Sequence, residues 1–371
     1  MLGFAPSVIV SDALQFEGAT NTRAYEFGKR CLASKEIYTI QYLRAVAALF
    51  VLYYHLALRY GGPIPIGTFP LDLFFVISGF ITWVISVDRP IGPSAFMLRR
   101  IVRLVPNYWL ATFATAILIL VKPNFTYGHE LDLSRFVGSL FFWPTLSGDR
   151  ILPIVLQGWT LIYEMMFYIL VAVSLLVAQR YRPLFLAAAV GTLAVLHEWI
   201  PDAHFVSLTS PNILLEFLAG VLLGVVWKNV SLSIGWALLF LAAGPIGLAL
   251  SEYYRPDGLS LLALVVPPVL VVAGAAYYEK SRGLPDIRLL RFLGDASYSI
   301  FIWHVFVSII LEGLLLHLKL PVNLHFALVV LATVGLTCLI YLWVERPMTD
   351  YVRGLVARKP LRPLPVQRQA C

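Results

Sequence analysis

Long apolar stretches, separated by short polar segments, repeat along most of the chain. A helix needs about 20 mostly apolar residues to cross the hydrocarbon core of a bilayer. The pattern therefore predicts an all-α, polytopic membrane protein with about ten transmembrane helices, of which the fifth and sixth are short. The predicted spans are residues 37–58, 69–87, 104–121, 158–178, 183–197, 213–227, 231–250, 259–278, 296–316 and 324–345.

The segments outside these spans are short. Residues 1–36 are only weakly apolar and begin without the basic region of a signal peptide, which predicts a cytoplasmic N-terminal tail. Residues 37–345 form the predicted membrane domain, and residues 346–371 form a cytoplasmic C-terminal tail. Segment 133–143 is apolar but too short to span, so we expect an amphipathic helix in the membrane interface.

The composition agrees with a membrane protein and excludes several soluble classes. Hydrophobic residues make up 59% of the chain and charged residues 13%, against about 45–50% and about 25% in ordinary soluble domains. So few charges exclude a cytosolic enzyme, a disordered protein and a secreted disulfide scaffold. The three cysteines, Cys31, Cys338 and Cys371, lie far apart, so neither disulfides nor a metal site is predicted.

The distribution of Lys and Arg predicts the orientation, because these residues collect on cytoplasmic loops. With the N-terminus inside the cell, the cytoplasmic segments hold 21 Lys and Arg residues and the outer loops hold 6. We therefore predict an even number of helices, with both termini in the cytoplasm. The same distribution accounts for the net charge of +7 without nucleic acid as a partner.

Several ionisable residues fall inside the predicted spans. Each costs about 2.5–3.5 kcal/mol on insertion scales, so such residues mark a functional site by default. The alternative is an interhelical salt bridge that only holds the helices together, or an interfacial position for Glu216 and Glu312, which lie near helix ends. These residues are Arg44, His55, Asp72, Glu164, Glu216, His304 and Glu312.

Three of these residues are predicted to share one depth. With the first helix running outward, His55 lies near its outer end, and Asp72 and Glu164 lie near the outer ends of the second and fourth helices. A histidine beside carboxylates is a candidate general base with an orienting partner, although a lone membrane histidine also serves as a packing donor. Arg44 lies on the face of His55, roughly 16 Å deeper at 1.5 Å per residue.

A second group lies at the inner side, in the predicted loop after the second helix. Arg99, Arg100 and Arg103 follow one another there, and Arg100 and Arg103 have the i, i+3 spacing of neighbours on a helix. Arginine suits bidentate contacts with phosphate. The positive-inside rule and anionic lipid headgroups offer an equally simple explanation, and charge alone does not decide between them.

Most of the intramembrane charges and the arginine-rich segment lie within short sequence motifs. Taken together and in their order along the chain, these motifs resemble the integral-membrane acyltransferase family 3. The resemblance extends over residues 37–347, and it departs from the family pattern at Thr160, where serine is usual. The segments are 40–45 (IQYLRA) with 53–55 (YYH), 72–80 (DLFFVISGF), 99–109 (RRIVRLVPNYW), 159–168 (WTLIYEMMFY), 294–304 (GDASYSIFIWH) and 345–347 (ERP).

The resemblance implies an O-acyltransferase of the type that acetylates surface or exported polysaccharides or their lipid-linked precursors. Acetyl-CoA would be the acyl donor, held by Arg44, Arg99, Arg100 and Arg103. His55 would be the general base, with Asp72 or Glu164 holding its ring. A covalent acyl-histidine is a competing route. The implied partners are a saccharide acceptor, acetyl-CoA and membrane lipids, with no metal and no nucleic acid.

Two functions from other classes compete with this interpretation. A flippase for lipid-linked sugars would also use intramembrane charges, but it would typically show paired halves, and none is visible in the sequence. A partner of a polysaccharide polymerase would usually have a larger outer loop than residues 122–157.

An inner donor and an outer acceptor require a polar passage between them. Ala48 lies close to the face of the first helix that bears Arg44 and His55. We therefore expect Ala48, with Ala45 and Leu52 beside it, to line that passage.

Overall fold

The computed structural model describes eight stretches of the chain. The predicted N-terminal tail, residues 1–36, lies outside them, as do residues 358–371 of the predicted C-terminal tail. The described residues are 37–60, 69–88, 91–121, 131–147, 150–200, 202–254, 261–315 and 320–357.

Helices account for nearly all of the regular structure, as the sequence predicts. The exception is one antiparallel pair of two-residue strands, β1 (Leu146–Ser147) and β2 (Arg150–Ile151). The helices are α1 (Tyr38–Tyr60), α2 (Phe69–Asp88), α3 (Pro93–Val121), α4 (Leu133–Leu140), α5 (Gly158–Ser174), α6 (Arg182–Trp199), α7 (Ala203–Leu208), α8 (Pro211–Asn229), α9 (Ile234–Tyr253), α10 (Leu261–Arg282), α11 (Arg288–Asp295), α12 (Ser297–Leu315), α13 (Val322–Ile340) and α14 (Arg346–Ala357).

Each of the ten predicted spans contains a helix. Within the described stretches, eight helical segments are long and apolar enough to cross a membrane. They contain α1, α2, α3, α8, α9, α10, α12 and α13. The other two predicted spans correspond to α5, which has 17 residues, and α6, which has 18. The prediction of about ten transmembrane helices is therefore confirmed in part: each predicted span contains a helix, and within the described residues eight helical segments have the length and hydropathy expected of a span.

The arginine-rich segment is the clearest departure from the prediction. Residues 93–103 belong to α3, so they form the first three turns of a 29-residue helix rather than a loop. Pro93 stands at the first helical position, where its fixed φ and missing N–H are well tolerated. Arg100 and Arg103 are consequently held on a rigid helix whose later turns enter the membrane.

The last spanning helix also runs further than predicted. After α13 the backbone forms a π-helical turn, Tyr341–Glu345, and continues directly into α14. A π turn inserts an extra residue into the helix and frequently occurs at functional sites. It turns the side chain of Glu345 into the protein, where 8% of that residue is exposed.

The apolar segment after α3 forms the short helix α4, as predicted for residues 133–143. Asp132 caps its N-terminus by accepting hydrogen bonds from the backbone N–H groups of Ser134 and Arg135. The hydroxyl of Ser134 also donates to this carboxylate, and together these bonds keep the pKa of Asp132 below its usual value.

Glycines allow two pairs of helices to approach closely. A Cβ at Gly79 of α2 would lie 2.0 Å from the carbonyl oxygen of Phe217 in α8, and a Cβ at Gly220 would lie 2.1 Å from that of Val76. Small residues at such crossings let helix backbones meet in membranes. Likewise, a Cβ at Gly294 would lie 2.3 Å from the carbonyl oxygen of Gln41, so Gly294 brings the start of α12 against α1.

Candidate active site

A cavity lies among α1, α2, α3, α5, α8 and α12. Together with the open solvent at its mouth, it contains about 770 Å³ of space. Aromatic and aliphatic side chains form much of its wall. Polar and charged residues in the wall include Arg44, Ser78, Arg100, Arg103, Thr160, Glu164, Tyr168 and Ser297.

Arg44 is buried at the α1 side of the cavity, with 8% of the residue exposed. Its Nη2 donates a hydrogen bond of 2.8 Å to Oγ of Ser297, the first residue of α12. Its Nη1 donates a longer one, 3.4 Å, to Oε1 of Gln41 one turn earlier. The close approach at Gly294 therefore positions the partner that orients this guanidinium.

Arg100 and Arg103 reach the same cavity from α3. Nη2 of Arg100 donates to Oγ1 of Thr82 at 3.0 Å, and its guanidinium carbon lies 4.6 Å from the centre of the Tyr168 ring, a cation–π geometry. Arg99 is exposed and does not line the cavity. Of the three arginines in this segment that were predicted to bind the donor, Arg100 and Arg103 therefore line the cavity and Arg99 does not.

Glu164 lies in the cavity wall with these arginines, not beside His55. Its Oε1 accepts hydrogen bonds from the hydroxyl of Ser78, at 3.1 Å, and from that of Tyr168. The cavity wall therefore contains three arginines and one glutamate, a formal charge of +2 that attracts anions.

His55 is paired with a second histidine. Its Nδ1 lies 2.9 Å from the backbone carbonyl oxygen of Val51 and 3.2 Å from Nε2 of His304 in α12. His304 also bonds the carbonyl oxygen of Phe301, whose side chain lines the cavity. Within the described residues, the hydrogen bonds of His55 go to Val51 and His304, and no carboxylate is among these partners.

The remaining intramembrane carboxylates lie elsewhere. Asp72 does not line the cavity, but it lies close enough to the buried Glu216 of α8 for the two carboxylates to interact electrostatically. Glu312 forms a salt bridge with Arg59, in agreement with the structural alternative considered for it. The expected grouping of His55, Asp72 and Glu164 is thus replaced by three separate contacts.

A buried polar network around Glu345 was missed by sequence reasoning. Glu345 accepts hydrogen bonds from Ser299 and from Nδ2 of Asn107, and Nε1 of Trp303 donates to Oδ1 of Asn107 at 3.0 Å. Glu345 also attracts Arg44 and Arg103 electrostatically. The only signal in the sequence was its place in the ERP segment, which did not indicate a position next to the arginines.

The expected passage along α1 is wrong in this structure. Ala48 and Leu52 are fully buried and pack against Ala296, Ile300 and Val329. Among the described residues of α1, Arg44 alone lines the cavity, and the rest of the wall comes from α2, α3, α5, α8 and α12. The small side chain at Ala48 serves close helix packing, the alternative that small residues in membranes commonly support.

Comparison with known proteins identifies relatives across this whole region. The model of the acyltransferase domain family Acyl_transf_3 matches residues 37–342. The exopolysaccharide production protein ExoZ of Rhizobium meliloti (strain 1021) is 36% identical over 311 residues, which cover 80% of this chain and 93% of ExoZ. No solved structure matches the chain.

More distant relatives are longer than this chain. YrhL of Bacillus subtilis (strain 168), named as a candidate peptidoglycan O-acetyltransferase, is 29% identical over 351 residues, covering 82% of this chain and 54% of YrhL. SACOL0978 of Staphylococcus aureus (strain COL), named as a candidate O-acetyltransferase, is 25% identical over 346 residues, covering 82% and 56%. Because the family match covers most of the chain, this multi-pass membrane protein belongs to the acyltransferase family 3.

Proposed function

We propose that this acyltransferase moves an acetyl group from acetyl-CoA to a hydroxyl of an exported or surface polysaccharide, or of its lipid-linked precursor. The observation that supports this most directly is the positively charged cavity, whose wall includes Phe301. His55 and His304 do not line this cavity, but His304 hydrogen bonds the carbonyl oxygen of Phe301. The name of ExoZ adds exopolysaccharide as the class of product.

Arg44, Arg100 and Arg103 bind the donor in this proposal. Coenzyme A is an anion with several phosphate groups, and arginines form short, charge-assisted hydrogen bonds to phosphate. The Thr82 hydroxyl and the Tyr168 ring hold Arg100 in place before the donor arrives, which reduces the side-chain entropy lost on binding. Arg99, which is exposed and does not line the cavity, adds to the positive charge near the start of α3.

His55 is the proposed general base. It removes the proton of the acceptor hydroxyl while that oxygen attacks the thioester carbonyl carbon. Collapse of the tetrahedral intermediate breaks the C–S bond, and the departing thiolate takes the proton from the imidazolium. An acyl-histidine intermediate would use the same residue as nucleophile.

The two carboxylates take different parts in the proposal. Glu164, bonded to Ser78 and Tyr168, offsets part of the arginine charge and gives the donor cavity its polar wall. Asp72 stays a proposed participant near the outer end of α2, where it would contact the sugar acceptor. Both termini are proposed to be cytoplasmic, in the inner membrane, so that the arginines meet the cytoplasmic donor.

An assay in proteoliposomes tests this function. The purified protein is supplied with acetyl-CoA labelled with ¹³C in the acetyl group and with polysaccharide from cells that lack the gene. We expect labelled O-acetyl esters in the polysaccharide by mass spectrometry. A flippase would move a lipid-linked sugar across the bilayer without incorporating label, and that result would contradict the proposal. His55→Ala protein in the same lipids serves as the inactive control.

A further inference from the structure

The imidazoles of His55 and His304 form a pair between α1 and α12, in which His304 is buried and His55 is partly buried. Their ring centres are 4.9 Å apart, and 1% of His304 is exposed. Two ionisable rings side by side inside a membrane protein are costly unless their hydrogen bonds are satisfied. The hydrogen bonds of the pair determine where its protons lie.

The proton of neutral His304 is fixed by the backbone of its own helix. Its Nδ1 lies 2.8 Å from the carbonyl oxygen of Phe301 and 3.1 Å from that of Ile300. A carbonyl oxygen only accepts hydrogen bonds, so Nδ1 of His304 carries the proton. Nε2 of a neutral His304 therefore has a lone pair and acts as an acceptor.

The hydrogen-bond acceptors around His55 assign its proton in the same way. Its Nδ1 faces two acceptors, the carbonyl oxygen of Val51 at 2.9 Å and Nε2 of His304 at 3.2 Å. Nδ1 of His55 must consequently be the donor to both, and Nε2 of His55 has the free lone pair. In the opposite tautomer, the Nδ1 lone pair would face two other acceptors with no proton between them.

We propose that His304 is a positioning residue, which holds His55 in the Nδ1–H tautomer and leaves Nε2 of His55 to accept the proton of the sugar hydroxyl. This inference rests on the proposed function, in which His55 is the base. It assigns to a neutral imidazole the task that sequence analysis gave to Asp72 or Glu164.

The proposed proton transfer is balanced. Nε2 of His55 takes the hydroxyl proton, the hydroxyl oxygen forms a bond to the thioester carbon, and the C–S bond breaks. During this step Nδ1 keeps its proton and its bond to Nε2 of His304, which strengthens as positive charge develops on His55. The thiolate then removes the proton from Nε2, and the pair returns to its starting tautomers.

Two substitutions of His304 separate this task from simple packing. His304→Phe preserves a ring of similar size but removes the acceptor, whereas the amide oxygen of His304→Gln replaces the acceptor near the position of Nε2. We expect His304→Phe to lower kcat by roughly 10–100-fold, as is typical when a partner that orients an imidazole is lost. The KM for acetyl-CoA should change by less than about twofold, because the donor contacts the arginines.

His304→Gln should recover most of the lost kcat. Ser308→Ala is the matched control, because Ser308 is one turn further along α12, is also buried, and its hydroxyl donates to the carbonyl oxygen of Val305 in its own helix. It should keep kcat within about twofold. A His304→Phe protein with normal kcat, or equal losses in the Phe and Gln variants, would overturn the proposal.

A spectroscopic measurement tests the tautomer without relying on activity. The seven histidines are labelled with ¹⁵N, the protein is reconstituted in lipid, and His55 is assigned by difference from His55→Asn. Solid-state NMR of the wild-type protein should show Nδ1 protonated and Nε2 unprotonated. A proton on Nε2 of His55 would contradict the inference even if neither His304 variant folded.

The two experiments also distinguish failure of this inference from failure of the proposed function. If His55→Ala transfers acetyl normally, His55 is not the base and the proposed function of this site fails. If His55→Ala is inactive while His304→Phe keeps both activity and the Nδ1–H tautomer, only the positioning task of His304 is wrong.

Discussion

At the residue scale, the site consists of a few polar side chains held by backbone and neighbouring groups inside an apolar environment. His55 is fixed by the carbonyl oxygen of Val51 and by His304, and Arg44 by Ser297. Such contacts hold the side chains in the required geometry before substrate binds, which is how enzymes reduce the reorganisation needed in the transition state. Single substitutions should therefore affect binding and chemistry separately.

Replacing His55 should remove the chemistry and leave the fold. We expect His55→Ala to lower the rate of acetyl transfer by about 10²–10⁴-fold, the usual loss when a general base is removed. The rate is measured with labelled acetyl-CoA in proteoliposomes. His197→Ala is a matched control, since His197 also hydrogen bonds through Nδ1, but to Thr209. More than about a tenth of the wild-type rate in His55→Ala would exclude His55 as the base.

Replacing the cavity arginines should weaken binding of the donor. Each hydrogen bond to a charged group contributes about 1.5–3 kcal/mol, so Arg100→Ala and Arg103→Ala should raise the KM for acetyl-CoA by roughly 10-fold or more. Lysine at either position should restore only part of the affinity, because it keeps the charge but loses the planar guanidinium.

Two other arginines provide the comparison for these variants. Arg99→Ala should raise the KM less, because Arg99 is exposed outside the cavity wall. Arg353→Ala should leave it unchanged, since Arg353 pairs with Asp350 on α14. Equal effects of Arg99→Ala and Arg103→Ala would show that these arginines act through general surface charge rather than as a binding site.

At the element scale, close helix crossings determine which side chains meet. Helix α12 starts against α1 because Gly294 has no side chain at the point of contact with Gln41. This contact brings Ser297 to Arg44 and, two turns later along α12, His304 to His55. A change at this single glycine should therefore disturb both halves of the site.

Gly294→Ala should destabilise the protein and slow transfer. The added Cβ would lie 2.3 Å from the backbone oxygen of Gln41, and backbone cannot move aside as a flexible side chain can. Forcing a methyl group into a packed interior typically costs about 1–3 kcal/mol, so the melting temperature in detergent should fall. Gly335→Ala in α13 is the control, because a Cβ there meets nothing within 4 Å, and its melting temperature should be unchanged or higher.

The sequence predicted the helices better than it predicted their partners. Hydropathy located a helix in each of the ten predicted spans, because a helix in a bilayer satisfies its backbone internally and presents apolar side chains to lipid. Hydropathy did not identify the partner of His55. It gives the depth of a residue in the membrane, but it does not show which other helix lies next to that residue. His304 was recognised as an intramembrane histidine, yet its contact with His55 depends on the crossing of α12 with α1, 249 residues away in the chain.

At the scale of the whole molecule, the helices combine a largely apolar core and an apolar surface with a charged cavity. Large apolar side chains are exposed along the spanning helices, among them Ile117, Leu120, Leu250 and Leu331, each at least half exposed. In water such a surface would aggregate, whereas in a bilayer it faces lipid. Because the charged cavity is partly open to the exterior, the side of the membrane on which it opens decides which substrates reach it.

The proposed orientation can be tested with single cysteines placed on the two predicted sides. The native Cys31, Cys338 and Cys371 are first changed to serine. In that background, Leu133→Cys places a thiol at an exposed position of the predicted outer loop. Asn229→Cys places a thiol in a predicted cytoplasmic segment. A membrane-impermeant maleimide should label Leu133→Cys in cells with an intact inner membrane, and Asn229→Cys only after lysis. The positive-inside distribution, with 21 Lys and Arg residues against 6, is the physical basis of this expectation. The reverse labelling pattern would place the amino-terminal end of α3, with Arg100 and Arg103, on the side away from the cytoplasmic donor, and acetyl-CoA could then not be the group that these arginines bind.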